Sequence, residues 1–173
     1  TKVVYVDKDP IVIAHSSAML KDNPNAVAIE ADVTQPEEIL QDHRVLKLID
    51  FDRPVGILVF ALLPSIPEDA AAYDSVEVFR NSAAPGSYLA ISHATYDDAP
   101  KATMERIKQL YETSGTTRSS IRSYNQILAF FDDWSLLTPG LVHLPEWRPD
   151  DEHEIFADEP GRSVNWGGVA RKP

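Results

Sequence analysis

Lys2-Val3-Val4-Tyr5-Val6-Asp7-Lys8-Asp9-Pro10 decides the reading of this chain. Val3 to Val6 is a short β-branched and aromatic run, and it stops at a polar turn in which Asp9 can cap a helix whose first residue is Pro10. The stretch therefore predicts strand, turn, helix. Ile11, Ala14, Ala18 and Met19 give that helix an apolar spacing, and Ala26 to Glu30 reads as a second strand closed by Ala31-Asp32. Thr34-Gln35-Pro36-Glu37 has the cap residue, early proline and Glu of a helix start, with Ile39, Leu40, Val45, Leu46 and Ile49 as the apolar face. Val55 to Leu63 is apolar apart from Gly56, as expected for a central strand covered on both faces.

The alternation continues to the end of the chain. A helix bearing Tyr73, Val76, Val78 and Phe79 leads through the Pro85-Gly86 turn to a strand from Ser87 to Ser92. A helix marked by Met104, Ile107, Leu110 and Tyr111 ends at Gly115, and Ser123 to Gln126 forms a capping box before Ile127, Leu128, Phe130 and Phe131. Trp134–Leu137, Leu141–Leu144 and Val164–Arg171 read as C-terminal strands. Glu146 to Glu159 is rich in carboxylates, with Arg148 its only Lys or Arg, and predicts an exposed loop or lid. Strands alternating with helices imply an α/β fold with a mostly parallel sheet layered between helices.

Composition narrows the partners. At 173 residues the chain is one domain's length, able to bury roughly 70% of its unfolded surface. The net charge of −11 opposes binding to nucleic acid or anionic lipid, whose recognition depends on clustered Lys and Arg. No apolar run approaches the roughly 20 residues of a membrane span, residues 1–20 lack a basic leader start, and a cytoplasmic protein is expected. With no cysteine there is no disulfide framework or thiolate chemistry, and no histidine cluster has metal-ligand spacing.

Ligands of open α/β sheets sit beyond the carboxyl ends of the strands, which selects Asp7, Asp32, Leu63 to Ser65, and His93 to Tyr96. A carboxylate at Asp7 can accept both ribose hydroxyls of a nucleoside, and one at Asp32 can accept from an adenine amino group. Either aspartate taken singly is as readily a turn former or helix cap. His93 is the best placed general base, although a strand-end histidine also serves local hydrogen bonds. Trp147 and Trp166 can cover a pocket or close the edge of the core.

Val3 to Val12 with Ala31-Asp32-Val33 resembles the second and third strand ends of Rossmann-like S-adenosylmethionine-dependent methyltransferases. Phe51-Asp52-Arg53-Pro54-Val55, Pro85 to Ala94, Leu137 to Val142, Trp147-Arg148-Pro149-Asp150 and Trp166 to Lys172 narrow the resemblance to the actinobacterial S-adenosyl methyltransferase family once described as a domain of unknown function. The likeness covers nearly the whole chain. It implies a Rossmann-like methyltransferase sandwich and S-adenosylmethionine as cofactor, with Asp7, Lys8, Asp32 and Val33 as its binding positions; His93, by its place at a strand end, is the candidate catalytic base. The family leaves the methyl acceptor unassigned; the strand-end positions Leu63, Pro64, Ser65 and Tyr96 are the candidate pocket, and the acidic composition points to a small-molecule acceptor.

The family pattern begins upstream, with a first strand and a glycine-rich loop at the methionine end of the cofactor. The first glycine here is Gly56. The chain is therefore expected to be the C-terminal portion of one methyltransferase domain, inactive alone, with an upstream segment or a second copy filling the place of the first strand. The family commonly has Leu-His where this chain has Leu63-Pro64. The competing reading is a non-catalytic nucleoside-binding or protein-association module on the same fold; a dinucleotide-dependent dehydrogenase half is weaker, since no pyrophosphate loop is visible.

Overall fold

The computed structural model describes residues 1–97, 102, 105–106, 109, 120–150 and 155–173. β1 (Val3–Asp7), α1 (Pro10–Leu20) and β2 (Ala26–Glu30) form the opening unit. Asp9 caps α1 by accepting from the Ile11 amide at 2.8 Å, and Pro10 occupies the first turn, where its missing N–H costs nothing. β1 and β2 pair in parallel, from Val3 opposite Ala26 to Asp7 opposite Glu30.

The next helical stretch departs from the expected single helix. It splits into α2 (Pro36–Gln41) and α3 (His43–Leu48), because Asp42 leaves the helical conformation and caps α3 through the Arg44 amide at 2.7 Å. Thr34 does not cap α2; its hydroxyl and amide both donate to Asp32 instead.

β3 (Gly56–Phe60), α4 (Asp69–Ser82) and β4 (Tyr88–Ala94) follow, with β3 and β4 parallel. The turn before β4 needs Gly86, whose φ of 85° is in the left-handed region that other residues rarely adopt. α5 (Tyr124–Leu128) carries the expected capping box, Ser123 with Gln126. β5 (Ser135–Leu136), β6 (Val142–His143) and β7 (Asn165–Arg171) complete the chain, and β7 lies antiparallel to β4, β5 and β6. The pairing is thus parallel up to β4 and antiparallel beyond it.

Among the described residues the strands form two sheets, β1-β2 and β3-β4-β7-β5 with β6 also on β7. The expectation of a central, doubly covered strand at Val55–Leu63 is corrected here: β3 pairs only with β4, and Leu58 and Phe60 are 67% and 59% exposed. The expected apolar face of α1 is also bare, with Ile11 and Met19 exposed and no residue of the helix buried.

The larger core joins one face of β4 to α4 and α5 through Val59, Leu63, Val76, Leu89, Ile91, Ile127, Phe130, Phe131 and Trp134. A smaller core of Ile29, Ile39 and Val45 underlies β2, α2 and α3. Lys172 ties the C-terminus to α4, its Nζ donating to the Arg80 and Ala83 carbonyls at 2.8 Å each, where a cation complements the helix end. The expected helix from Met104 to Gly115 falls mostly outside the described residues, as does 151–154 of the acidic stretch. No described helix is long and apolar enough to cross a membrane, and no described group of His, Asp and Glu side chains has metal-site geometry.

Candidate functional site

The parallel register of β1 and β2 brings Asp7 and Asp32 to the same end of that sheet, where the Ala31 amide donates to the Asp7 carbonyl at 3.0 Å. Asp7 is half-buried and its Oδ1 accepts from the Asp9 amide at 2.9 Å. Asp32 is also half-buried, and its Oδ1 accepts from the Thr34 amide at 2.9 Å and hydroxyl at 2.8 Å. The amide bond first, then the hydroxyl, hold the Asp32 carboxyl below the usual carboxylate range against partial burial, with Lys8 adding a smaller Coulombic pull. Asp32 is thereby fixed as an acceptor-only anion. Lys8 is exposed, and the Val33 carbonyl accepts from Ser75 Oγ of α4 at 2.6 Å, which joins this turn to the larger core.

The second group lies at the end of β3 and β4. Ala61 turns the chain at φ 51°, its amide 3.0 Å from both the carbonyl and the hydroxyl of Ser92. A 3₁₀ turn over Leu63–Ser65 follows, in which Leu63 is fully enclosed, Pro64 is buried and Ser65 is exposed. Tyr96, just past β4, is half-buried.

His93 has no exposed surface. Its Nδ1 lies 2.7 Å from the Ala94 carbonyl, which can only accept, so Nδ1 carries the proton and the Nε2 lone pair faces Arg122 Nη1 at 3.2 Å. Burial drives its pKa down to about 4; the Arg122 cation adds to this, while the Ala94 bond opposes it. The imidazole is neutral at pH 7 and both nitrogens are engaged, so in this arrangement it has no route to an acceptor's proton.

The candidates thus fall into two groups, Asp7, Lys8, Asp32 and Val33 on one sheet, and Leu63, Pro64, Ser65, His93 and Tyr96 on the other. Arg122 and Asp69, which contact the second group, carry no sequence signal: they lie 29 residues from His93 and 53 from Arg122 respectively, with no motif spanning either gap.

A family model for S-adenosyl methyltransferases matches residues 1–173. Two crystal structures resemble the chain in both sequence and fold. A provisionally named methyltransferase from Thermobifida fusca is 32% identical with a TM-score of 0.87, and the alignment covers 99% of this chain and 63% of that one. A DUF574 family protein from Streptomyces avermitilis is 30% identical with a TM-score of 0.88, over 99% of this chain and 65% of that one. The N-methyltransferase NodS of Bradyrhizobium japonicum, solved with S-adenosyl-L-homocysteine, shares the fold alone at 12% identity and a TM-score of 0.57, over 99% of this chain and 67% of that one. No curated protein matches the sequence. The chain spans less than two thirds of the length of each of these first two structures, 63% and 65%.

Proposed function

This chain belongs to the S-adenosyl methyltransferase family, and on that premise we propose that it supplies the nucleoside side and the acceptor wall of a site that transfers a methyl group to a small molecule. The observation that carries the reading is the parallel register of β1 and β2, which sets two half-buried carboxylates at neighbouring strand ends. Such a pair suits a nucleoside, whose ribose hydroxyls and adenine amino group are donors. Asp7 takes the ribose hydroxyls, with Lys8 beside it, and Asp32 and Val33 border the adenine. When bound, S-adenosylmethionine supplies an activated methyl group on a sulfonium.

The protein's own part is alignment, because an in-line displacement depends on holding the acceptor at the right distance and angle. Leu63, Pro64, Ser65 and Tyr96 form the acceptor wall. The geometry of His93 argues for a structural part in that wall in place of a proton-accepting one, which leaves acceptors that need no base as the favoured class.

The split sheet supports the reading that residues 1–173 are the C-terminal portion of one domain. β1 and β3 each have one edge without a strand among the described residues, and both bear exposed apolar side chains, Tyr5 and Val6 on β1, Leu58 and Phe60 on β3. One further strand between them would pair both edges, and the loop leaving that strand on its way to β1 would bring a backbone to the methionine end of the cofactor. A second reading, a nucleoside-binding module without catalysis, draws on the engagement of both His93 nitrogens.

Calorimetric titration of S-adenosylhomocysteine into the full-length protein tests the site. Asp7→Ala and Asp32→Ala are each expected to weaken binding by roughly tenfold or more, the size of a lost charged hydrogen bond. Unchanged affinity in both variants would remove the placement; no binding by the wild type would remove the cofactor.

A further inference from the structure

Arg122 lies just before the capping box of α5, and its side chain is completely enclosed. Burying a guanidinium is strongly unfavourable unless its charge is paired and its donors are satisfied. It has five N–H donors and no acceptor. Nε and Nη2 both reach Asp69 Oδ1 at 3.0 Å, and Nη2 also donates to the Ile66 carbonyl at 3.0 Å. Nη1 donates to the Leu63 carbonyl at 2.9 Å and to His93 Nε2 at 3.2 Å. All three nitrogens are thus engaged, and the acceptors come from the loop after β3, the first residue of α4 and the end of β4. The backbone adds a parallel tie, the Ser120 amide donating to the Pro64 carbonyl at 2.8 Å.

This is more than the neutralisation of one aspartate. A single lysine ammonium would pair with Asp69 as well, but three donors diverging from one atom cannot serve acceptors spread over three elements. The two carbonyls bracket buried Pro64 and exposed Ser65, so the fork grips the backbone on either side of this rim. Methyl transfer depends on alignment, and displacement of that rim by an ångström would be felt as lost rate.

We propose that Arg122 is the positioning residue of the acceptor wall: it locks Leu63–Ile66 to the end of β4 and to α4, with His93 as the acceptor that orients its fork. The assignment deepens the methyltransferase reading and rests on it for the identity of the wall.

Arg122→Lys and His93→Gln in the full-length protein test it, through hydrogen exchange resolved by amide, the ¹⁵N resonances of the His93 ring, and S-adenosylhomocysteine affinity. In Arg122→Lys, exchange at Ser65, Ile66 and Ser120 should accelerate tenfold or more while Ala28 and Ile29 in β2 keep their protection. The His93 Nε2 resonance should shift to that of an unbonded lone pair, and S-adenosylhomocysteine affinity should stay within about threefold of wild type. His93→Gln, whose amide oxygen can still accept from Arg122, should lose less protection at the same amides. Unchanged exchange at Ser65 and Ile66 in Arg122→Lys would overturn the lock, and equal loss across β2 and the loop would make Arg122 a residue of the fold alone. A wild type that fails to bind S-adenosylhomocysteine sinks the cofactor reading and the acceptor role with it, whereas binding by a wild type whose Lys variant keeps a protected loop sinks the lock alone.

Discussion

At residue 93 the fold encloses an imidazole in its neutral form, and acid is the condition that opposes it. The group's pKa is about 4 in the folded protein and near 6.5 when unfolded, so between these values the unfolded chain binds the proton that the folded chain refuses. Stability is therefore complete above about pH 6.5 and declines as the pH falls toward 4, by roughly 3 kcal/mol in all if the ring stays enclosed. The charges nearest the ring are Arg122, which disfavours the imidazolium, and Asp69, which favours it more weakly. Urea denaturation at steps from pH 7.5 to 4.5 should show the decline, and His93→Gln, which has no such titration, should flatten it; an equally steep profile in the variant would assign the slope to other groups. Asp42 acts in a separate window. The Arg44 side chain, the largest influence on it, holds its carboxyl at about 2, so the stability it contributes is present above the ordinary carboxylate range and is lost only as the pH falls from there through 2.

Among the elements, β7 shows why a strand can require glycine on one face. A Cβ on Gly168 would stand 3.2 Å from Phe131 Cζ and 3.3 Å from Leu141 Cδ1, both in buried side chains that would have to give way within a packed core. Gly168→Ala should destabilise the protein by roughly 1–3 kcal/mol, the usual cost of overpacking, and a thermal melt would read it as a lowered Tm. A Cβ on Gly167 would overlap Leu144 Cδ2, but Leu144 is 42% exposed and its side chain can swing outward, so Gly167→Ala should cost less. Equal melting temperatures for the two variants would contradict this account. The same contrast of local and distant causes runs through the helices. The start of α1 was legible because Asp9 and Pro10 act within one turn, and α5 because Ser123 and Gln126 bond each other. The break at Asp42 was missed because an apolar spacing from Ile39 to Ile49 fits one helix, while the bonds from Asp42 to Arg44 favour a cap in its middle.

Over the whole molecule, unpaired strand edges and bare apolar faces coincide. Tyr5, Ile11, Met19, Leu58 and Phe60 are all more than half exposed, and the strands among these elements, β1 and β3, each leave an edge open among the described residues. Such edges recruit further strands, and residues 1–173 alone should self-associate with rising concentration in sedimentation velocity, whereas a protein extended upstream should not. Concentration-independent monomers of residues 1–173 would count against the missing-strand reading. What the sequence determined by itself was the local alternation of strand and helix, the α/β class, the family, and the aspartates at the ends of β1 and β2. Each depends on neighbours within a turn or on residue order. Only the tertiary structure decided that His93 is sealed and neutral and that Arg122 grips the loop beside it. Those outcomes come from contacts between residues 29 to 59 positions apart, where burial and hydrogen-bond satisfaction, with no spacing to record them, fix what each side chain can do.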